Sequence, residues 1–182
     1  MKKTVIVLAI LLLPFDVFGA EIVGPEVRLA NNEVSVMTGL VLDGKNIDEL
    51  KNGVSKEITF YIDLFRVWKI WPNEFIAGKK LIKTLRCDPI KKEYTATSFD
   101  GATLIKKRFR DFDSMLGWAL NLKDIKLINI KEIEPSDYFV RVTVESRLRN
   151  LPPVIGYLLF FVPEKEFKVT KDSPAFAIGG VR

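Results

Sequence analysis

A chain of 182 residues with no histidine and one cysteine cannot assemble a Ser-His-Asp or Cys-His catalytic set, and it lacks the commonest transition-metal ligand. Its 28 basic and 23 acidic residues leave a formal charge of +5, a bias too mild to mark a polyanion-binding protein. With Cys87 as the only thiol no intrachain disulfide can form, so the core alone must hold the fold, and Cys87 beside Leu85 is expected to be buried in it.

Lys2 and Lys3 precede an apolar run from Val5 to Leu13, followed by Pro14 and the small residues Gly19 and Ala20. The run is about half the roughly 20 residues that a membrane-spanning helix needs. It reads as a secretory signal peptide, residues 1–19, cleaved after Gly19. No cysteine follows it, so lipid attachment is not expected. Its removal takes away two lysines and Asp16 and lowers the formal charge from +5 to +4. Residues 20–182 then read as a single β-rich domain with a loosely ordered tail from about residue 171. The expected location is the periplasm, or otherwise exported and soluble after cleavage, which removes nucleic acid from the expected partners.

From Pro25 to Leu42 the sequence alternates loosely, with Val27 and Leu29 on one side of Asn31-Asn32 and Val34, Val36 and Leu40 to Leu42 on the other. This predicts a hairpin or interrupted strand pair, closed by a turn at Asp43-Gly44. Asn46 or Asp48 can cap one helical turn through Leu50, ended by Gly53. The stretch from Glu57 to Trp71 carries the pattern around which the rest should be organised. Ile58, Phe60, Ile62 and Leu64 share one face and Thr59, Tyr61 and Asp63 the other, but Phe65 and Val67 are apolar in the opposite parity. Extended residues at about 3.3 Å each would carry this stretch roughly 50 Å, so a bulge or bend is expected near Asp63 to Phe65, with Pro72 closing the strand.

Gly78 predicts a further reversal into a strand from Lys79 to Cys87, with Leu81, Leu85 and Cys87 on one face and Pro89 at its end. Asp100-Gly101, between Glu93–Phe99 and Ala102–Phe109, is the strongest local signal and predicts a tight hairpin that uses positive φ. Asp111 or Asp113 can cap a helix through about Leu122, with Phe112, Met115, Leu116, Ala119 and Leu120 on one side. Gly117 costs that helix about 1 kcal/mol relative to alanine, so packing must hold it. Ile125 to Ile133 reads as a strand and Pro135-Ser136-Asp137 as a turn. Tyr138 to Leu148 alternates cleanly, Tyr138, Val140, Val142 and Val144 toward a core and Phe139, Arg141, Thr143, Glu145 and Arg147 toward water. Leu151-Pro152-Pro153 breaks this ladder, Val154 to Val162 reads as a buried strand or a helical turn or two, and Phe167 and Val169 mark a last strand. The predicted class is mainly β: an antiparallel β-sandwich-like domain with one short covering helix.

Several of these features, in this order, resemble a known family. They are Val67-Trp68-Lys69-Ile70-Trp71 at a strand end, Leu85-Arg86-Cys87-Asp88 leading to Lys92-Glu93-Tyr94, the short helix from Asp113 to Leu122, and Leu151-Pro152-Pro153 after an arginine-rich strand. Behind a signal peptide, they resemble an exported bacterial family, DUF4390, a domain of unknown function. The resemblance covers nearly the whole mature chain. It implies a bacterial envelope protein and brings no catalytic residues with it.

The chemistry open to such a chain is narrow. No glycine-rich phosphate loop is present, since Gly179-Gly180 lies in the tail without a following helix, and no cofactor is expected. A hydrolase would have to use a carboxylate pair, for which Asp63 and Glu145 are the mid-strand candidates. Arg66, Trp68, Lys69 and Trp71 interleave cations with large aromatics, a combination that stacks on sugars, grips anionic headgroups or anchors a protein partner. The alternative is that the tryptophans fill the end of the core while Arg66 and Lys69 lie along it. A second basic set, Lys79, Lys80, Lys83, Lys91, Lys92, Lys106, Lys107, Arg108 and Arg110, is either a cationic sheet face toward anionic lipid or cell-wall polymer, or an ordinary wet face with charged edges. The expected function is a non-catalytic binding or accessory module with an envelope protein partner. The alternatives are a glycan or lipid binder at Trp68 and Trp71, and a carboxylate-dependent hydrolase.

Overall fold

The structure is a computed structural model that describes residues 19–148 and 165–179. The expectations for residues 1–18 and for Leu151 to Val162 lie outside the described residues. The elements run β1 (Glu21–Ala30), β2 (Glu33–Val41), α1 (Gly44–Lys51), β3 (Lys56–Arg66), β4 (Glu74–Asp88), β5 (Glu93–Phe99), β6 (Leu104–Phe109), α2 (Phe112–Leu120), β7 (Asn121–Asn129), β8 (Ser136–Leu148), β9 (Lys165–Asp172) and β10 (Phe176–Ile178). They form two antiparallel sheets, a small one in the order β1-β2-β7 and a large one in the order β10-β8-β3-β4-β5-β6. The far edge of β8 is shared, β10 pairing with its first residues and β9 with Arg141 to Arg147.

The domain is therefore mainly β and antiparallel, as the alternation predicts. Ile58, Phe60, Ile62 and Leu64 of β3 and Val140, Val142 and Val144 of β8 are fully buried between the sheets. Ile22, Val34, Val36 and Leu122 reach the same core from the small sheet, and Met115, Ala119 and Leu120 of α2 close one part of it. Cys87 is a buried free thiol, pushed up from its ordinary pKa by burial and by Asp88.

Four local expectations need correction. Asp43 is not part of a turn but the N-cap of a second helix, α1, its carboxylate accepting from the Asn46 amide at 2.8 Å. The two-residue turn with positive φ falls at Asn31-Asn32 (52° and 60°), between the paired Ala30 and Glu33. The expected hairpin is present at Asp100-Gly101 and Gly101 takes a positive φ of 98°, but the register pairs Phe99 with Leu104, so the loop is longer than two residues, and the Asp100 carboxylate closes it by accepting from the Ala102 and Thr103 amides at 3.0 and 2.7 Å. Gly78 reverses nothing: it sits inside β4, opposite Asp63.

The fourth correction concerns the central strand, which ends at Arg66 instead of Trp71. The Val67 amide still donates to Asp137 at 2.8 Å, but residues 67–73 then turn back into β4. Pro72 has no N–H to give a ladder, which disfavours continued pairing of the strand through it. The expected irregularity is present at the expected place but in the neighbouring strand. Leu64 pairs with Ala77 and Phe65 with Phe75, which leaves Ile76 of β4 as the extra residue of a bulge.

Candidate binding surface at the β3–β4 hairpin

The four residues singled out in the sequence lie together where β3 passes into β4, but they do different work. Arg66 ends the ladder, paired with Tyr138 and Glu74 on its two neighbours. Its guanidinium donates to Glu134 at 2.8 Å, lies 4.0 Å from Glu74, and stacks 4.5 Å from the Trp68 ring centroid. The Trp68 indole N–H in turn donates to Glu74 at 3.2 Å, and its backbone amide to Asn73 at 3.4 Å. Tyr138, buried beside them, donates its hydroxyl to the Glu134 carbonyl at 2.6 Å. Arg66 and Trp68 are thus the brace of the hairpin.

Lys69 and Trp71 are its free surface. Trp71 is 74 % exposed, and Ile70 between them is 90 % exposed. The tryptophans therefore do not fill the end of the core; that reading of the sequence is overturned. Phe75, 58 % exposed, extends the apolar tip onto the outer face of the large sheet. There it meets Phe65 edge-on at 5.9 Å, and Phe65 stacks on Phe139 at 5.4 Å. Arg141 covers both inner rings at 5.3 and 5.4 Å while its guanidinium grips both oxygens of Asp172 at 2.8 Å. Sequence reasoning missed Ile70 and Phe75 because it read one as a strand residue and passed over the other; the signal available was the Pro72 break, which forces both onto a loop and its flank.

Asp63 lies beside this aromatic group. Burial pushes its carboxyl above the ordinary aspartate range, with Arg141 opposing. Gly78 makes the placement possible, because a Cβ there would collide with the Asp63 carboxylate and approach the Phe75 ring within 3.1 Å. Glu145, the other carboxylate candidate, is opposite Thr59, whereas Asp63 is opposite Arg141. Four residues along a strand separate the two positions, about 13 Å at roughly 3.3 Å per residue. Paired glycosidase carboxylates stand about 5 to 9.5 Å apart. The structure does not bring this pair together. Glu145 instead lies 3.4 Å from Lys168 of β9.

The second basic set does not make one cationic face. Strand parity sends Lys80, Lys106 and Arg108 to the outer face of the large sheet and Lys83 and Lys107 inward toward Trp118 of α2. Among the described residues no three Cys, Asp or Glu gather as metal ligands, and no helix is long and apolar enough to cross a membrane.

These features define a two-sheet β domain with an exposed apolar hairpin at one end of its central strand. The chain belongs to the DUF4390 family, described as a domain of unknown function, whose profile matches residues 19–173. No curated protein and no solved structure matches it.

Proposed function

We propose that the protein is an exported envelope component that acts as a non-catalytic binding or accessory module, with the tip formed by Lys69, Ile70, Trp71 and Phe75 as its contact surface and another envelope protein as its partner. The observation that carries this reading is the exposure of Ile70 and Trp71 on a hairpin whose base is fixed by ion pairs and an arginine–indole stack. Apolar anchors held on a rigid base lose little freedom on binding, and a central tryptophan is the commonest kind of interface hot spot. Arg66 already stacks on Trp68, which supports the protein reading over a sugar platform built from both indoles.

The test is co-purification from an envelope fraction with wild-type protein and with the Ile70→Ser/Trp71→Ser variant. Loss of two anchors at 1 kcal/mol or more each weakens capture by at least about tenfold. A specific partner retained equally by the folded variant sinks the proposal. A second reading, insertion of the tip into a lipid interface, is favoured by the side-by-side placement of Lys69, Ile70 and Trp71. In a Trp118→Phe protein, a blue shift of the remaining indole emission with anionic phosphatidylglycerol vesicles, absent in the Trp71→Ser form, selects it.

A further inference from the structure

Between the inward face of β4–β6 and the α2–β7 segment lies a half-open groove of about 410 Å³. Leu81, Ile105, Leu122 and Ile125 make its apolar walls, and Trp118 lies along it. Lys83 reaches into it from β4 although it is only 6 % exposed. Its ammonium lies 4.7 Å from the Trp118 ring centroid, and that of Lys107 lies 5.1 Å from the same ring. Lys123 stands at the rim.

The charge arrangement is unusual. A buried ammonium is normally paired with a carboxylate or saturated by acceptors, because desolvation otherwise costs several kcal/mol. Among the described residues Lys83 has no carboxylate partner: its stem is buried, while its ammonium opens on the groove beside the indole and a second cation. Desolvation, with Lys107 adding to it, pushes its pKa down. An indole face accommodates a cation but does not neutralise it. The groove therefore combines a partly desolvated Lys83 ammonium, Lys123 and apolar walls, with Lys107 on the same indole just outside its lining. Its volume falls within the roughly 300 to 1,000 Å³ of small-ligand sites.

We infer that this groove is a binding site for a small single-chain amphiphilic anion, its carboxylate or phosphate head on Lys83 and Lys107 and its hydrocarbon body between Leu81, Ile105, Leu122 and Ile125. The head supplies the counter-charge that no described residue provides, and the body covers the exposed Ile105 and the half-buried Ile125. The site is separate from the hairpin and does not depend on the reading proposed for it.

Isothermal titration of the purified protein with dodecanoate and with dodecyl phosphate, both below their micellar concentrations, tests the inference. Saturable binding is expected for at least one head group, and which one binds distinguishes a free acid from a phosphate ester as the source. Dodecanol, with the same body and no charge, binds at least about tenfold more weakly, as does either anion to Lys83→Met. The Ile70→Ser/Trp71→Ser protein binds as wild type does. Absence of saturable binding, equal binding of dodecanol, unchanged affinity in folded Lys83→Met, or loss of binding in the hairpin variant each overturns the assignment. Should Lys83→Met not fold, Lys107→Met carries the same test, a several-fold loss supporting the site and no change refuting it.

Discussion

The two ends of β3 treat a cation in opposite ways. At its start Lys56 is fully buried, and its ammonium donates to Glu49 of α1 and Glu166 of β9, each at 2.6 Å. The other Glu166 oxygen accepts from the Ser146 hydroxyl of β8 at 2.6 Å. One charge thereby ties a helix and an edge strand to the large sheet. At the other end Arg66 is only half-buried, its Nε has no hydrogen-bond partner among the described residues, and its guanidinium holds a hairpin whose apolar tip points outward. The same strand is closed by charge at one end and uses charge to present hydrophobic surface at the other. Lys83, one strand over, is nearly as buried as Lys56 but faces no acid among the described residues, which separates a structural lock from a groove open to a ligand.

The comparison breaks most visibly at Lys56. Lys56→Met leaves Glu49 and Glu166 facing each other without their cation, and the loss of folding stability in urea should be about 3 to 5 kcal/mol. Gly78→Ala comes next: the added methyl displaces the Asp63 carboxylate or the Phe75 ring, and overpacking of this kind costs about 1 to 3 kcal/mol by the same measurement.

Acidity then sharpens the contrast, because the carboxylates beside the two ends respond with opposite sign. The hydrogen bond from Lys56 holds Glu49 below its ordinary pKa. Its contribution is present above the ordinary glutamate range and is lost as pH falls through the lower folded value. Asp63 is raised by burial, so its contribution is present below the ordinary aspartate range and is lost as pH rises through the raised folded value. Melting temperatures across acid pH should therefore show Asp63→Asn gaining on wild type as pH rises, and Glu49→Gln losing ground over the same interval. The smallest effect belongs to the hairpin tip, where Ile70→Ser and Trp71→Ser should change stability by no more than about 0.5 kcal/mol each, since neither side chain is packed.

Much of the fold was legible because most strands of the large sheet keep a strict period of two. Tyr138 to Val144 and Ile58 to Leu64 alternate without interruption, and Asp111 and the buried side of α2 follow helical spacing. What misled was local chemistry that pairing partners decide. Asp43-Gly44 suits a turn or a helix start equally well, and only the Asn46 amide on the Asp43 carboxylate selects the second. Gly78 suggested a reversal because its real cause, the Asp63 carboxylate above it, comes from a neighbouring strand. The binding surface was half legible. Arg66, Trp68, Lys69 and Trp71 were found by composition, but Glu74 and Glu134, which turn Arg66 and Trp68 into a brace, lie outside the pattern and are joined to it only by the fold. The pairing of Lys83 with Trp118 is of the same kind, set by β4 lying beneath α2.

The most direct measurement is site-specific photo-crosslinking in the native host with the probe at Lys69, compared with a control probe at Ala102 on the β5–β6 hairpin. If the braced tip is the contact surface, Lys69 yields one recurrent protein adduct that Ala102 does not. Adducts at Ala102 with none at Lys69 would contradict it.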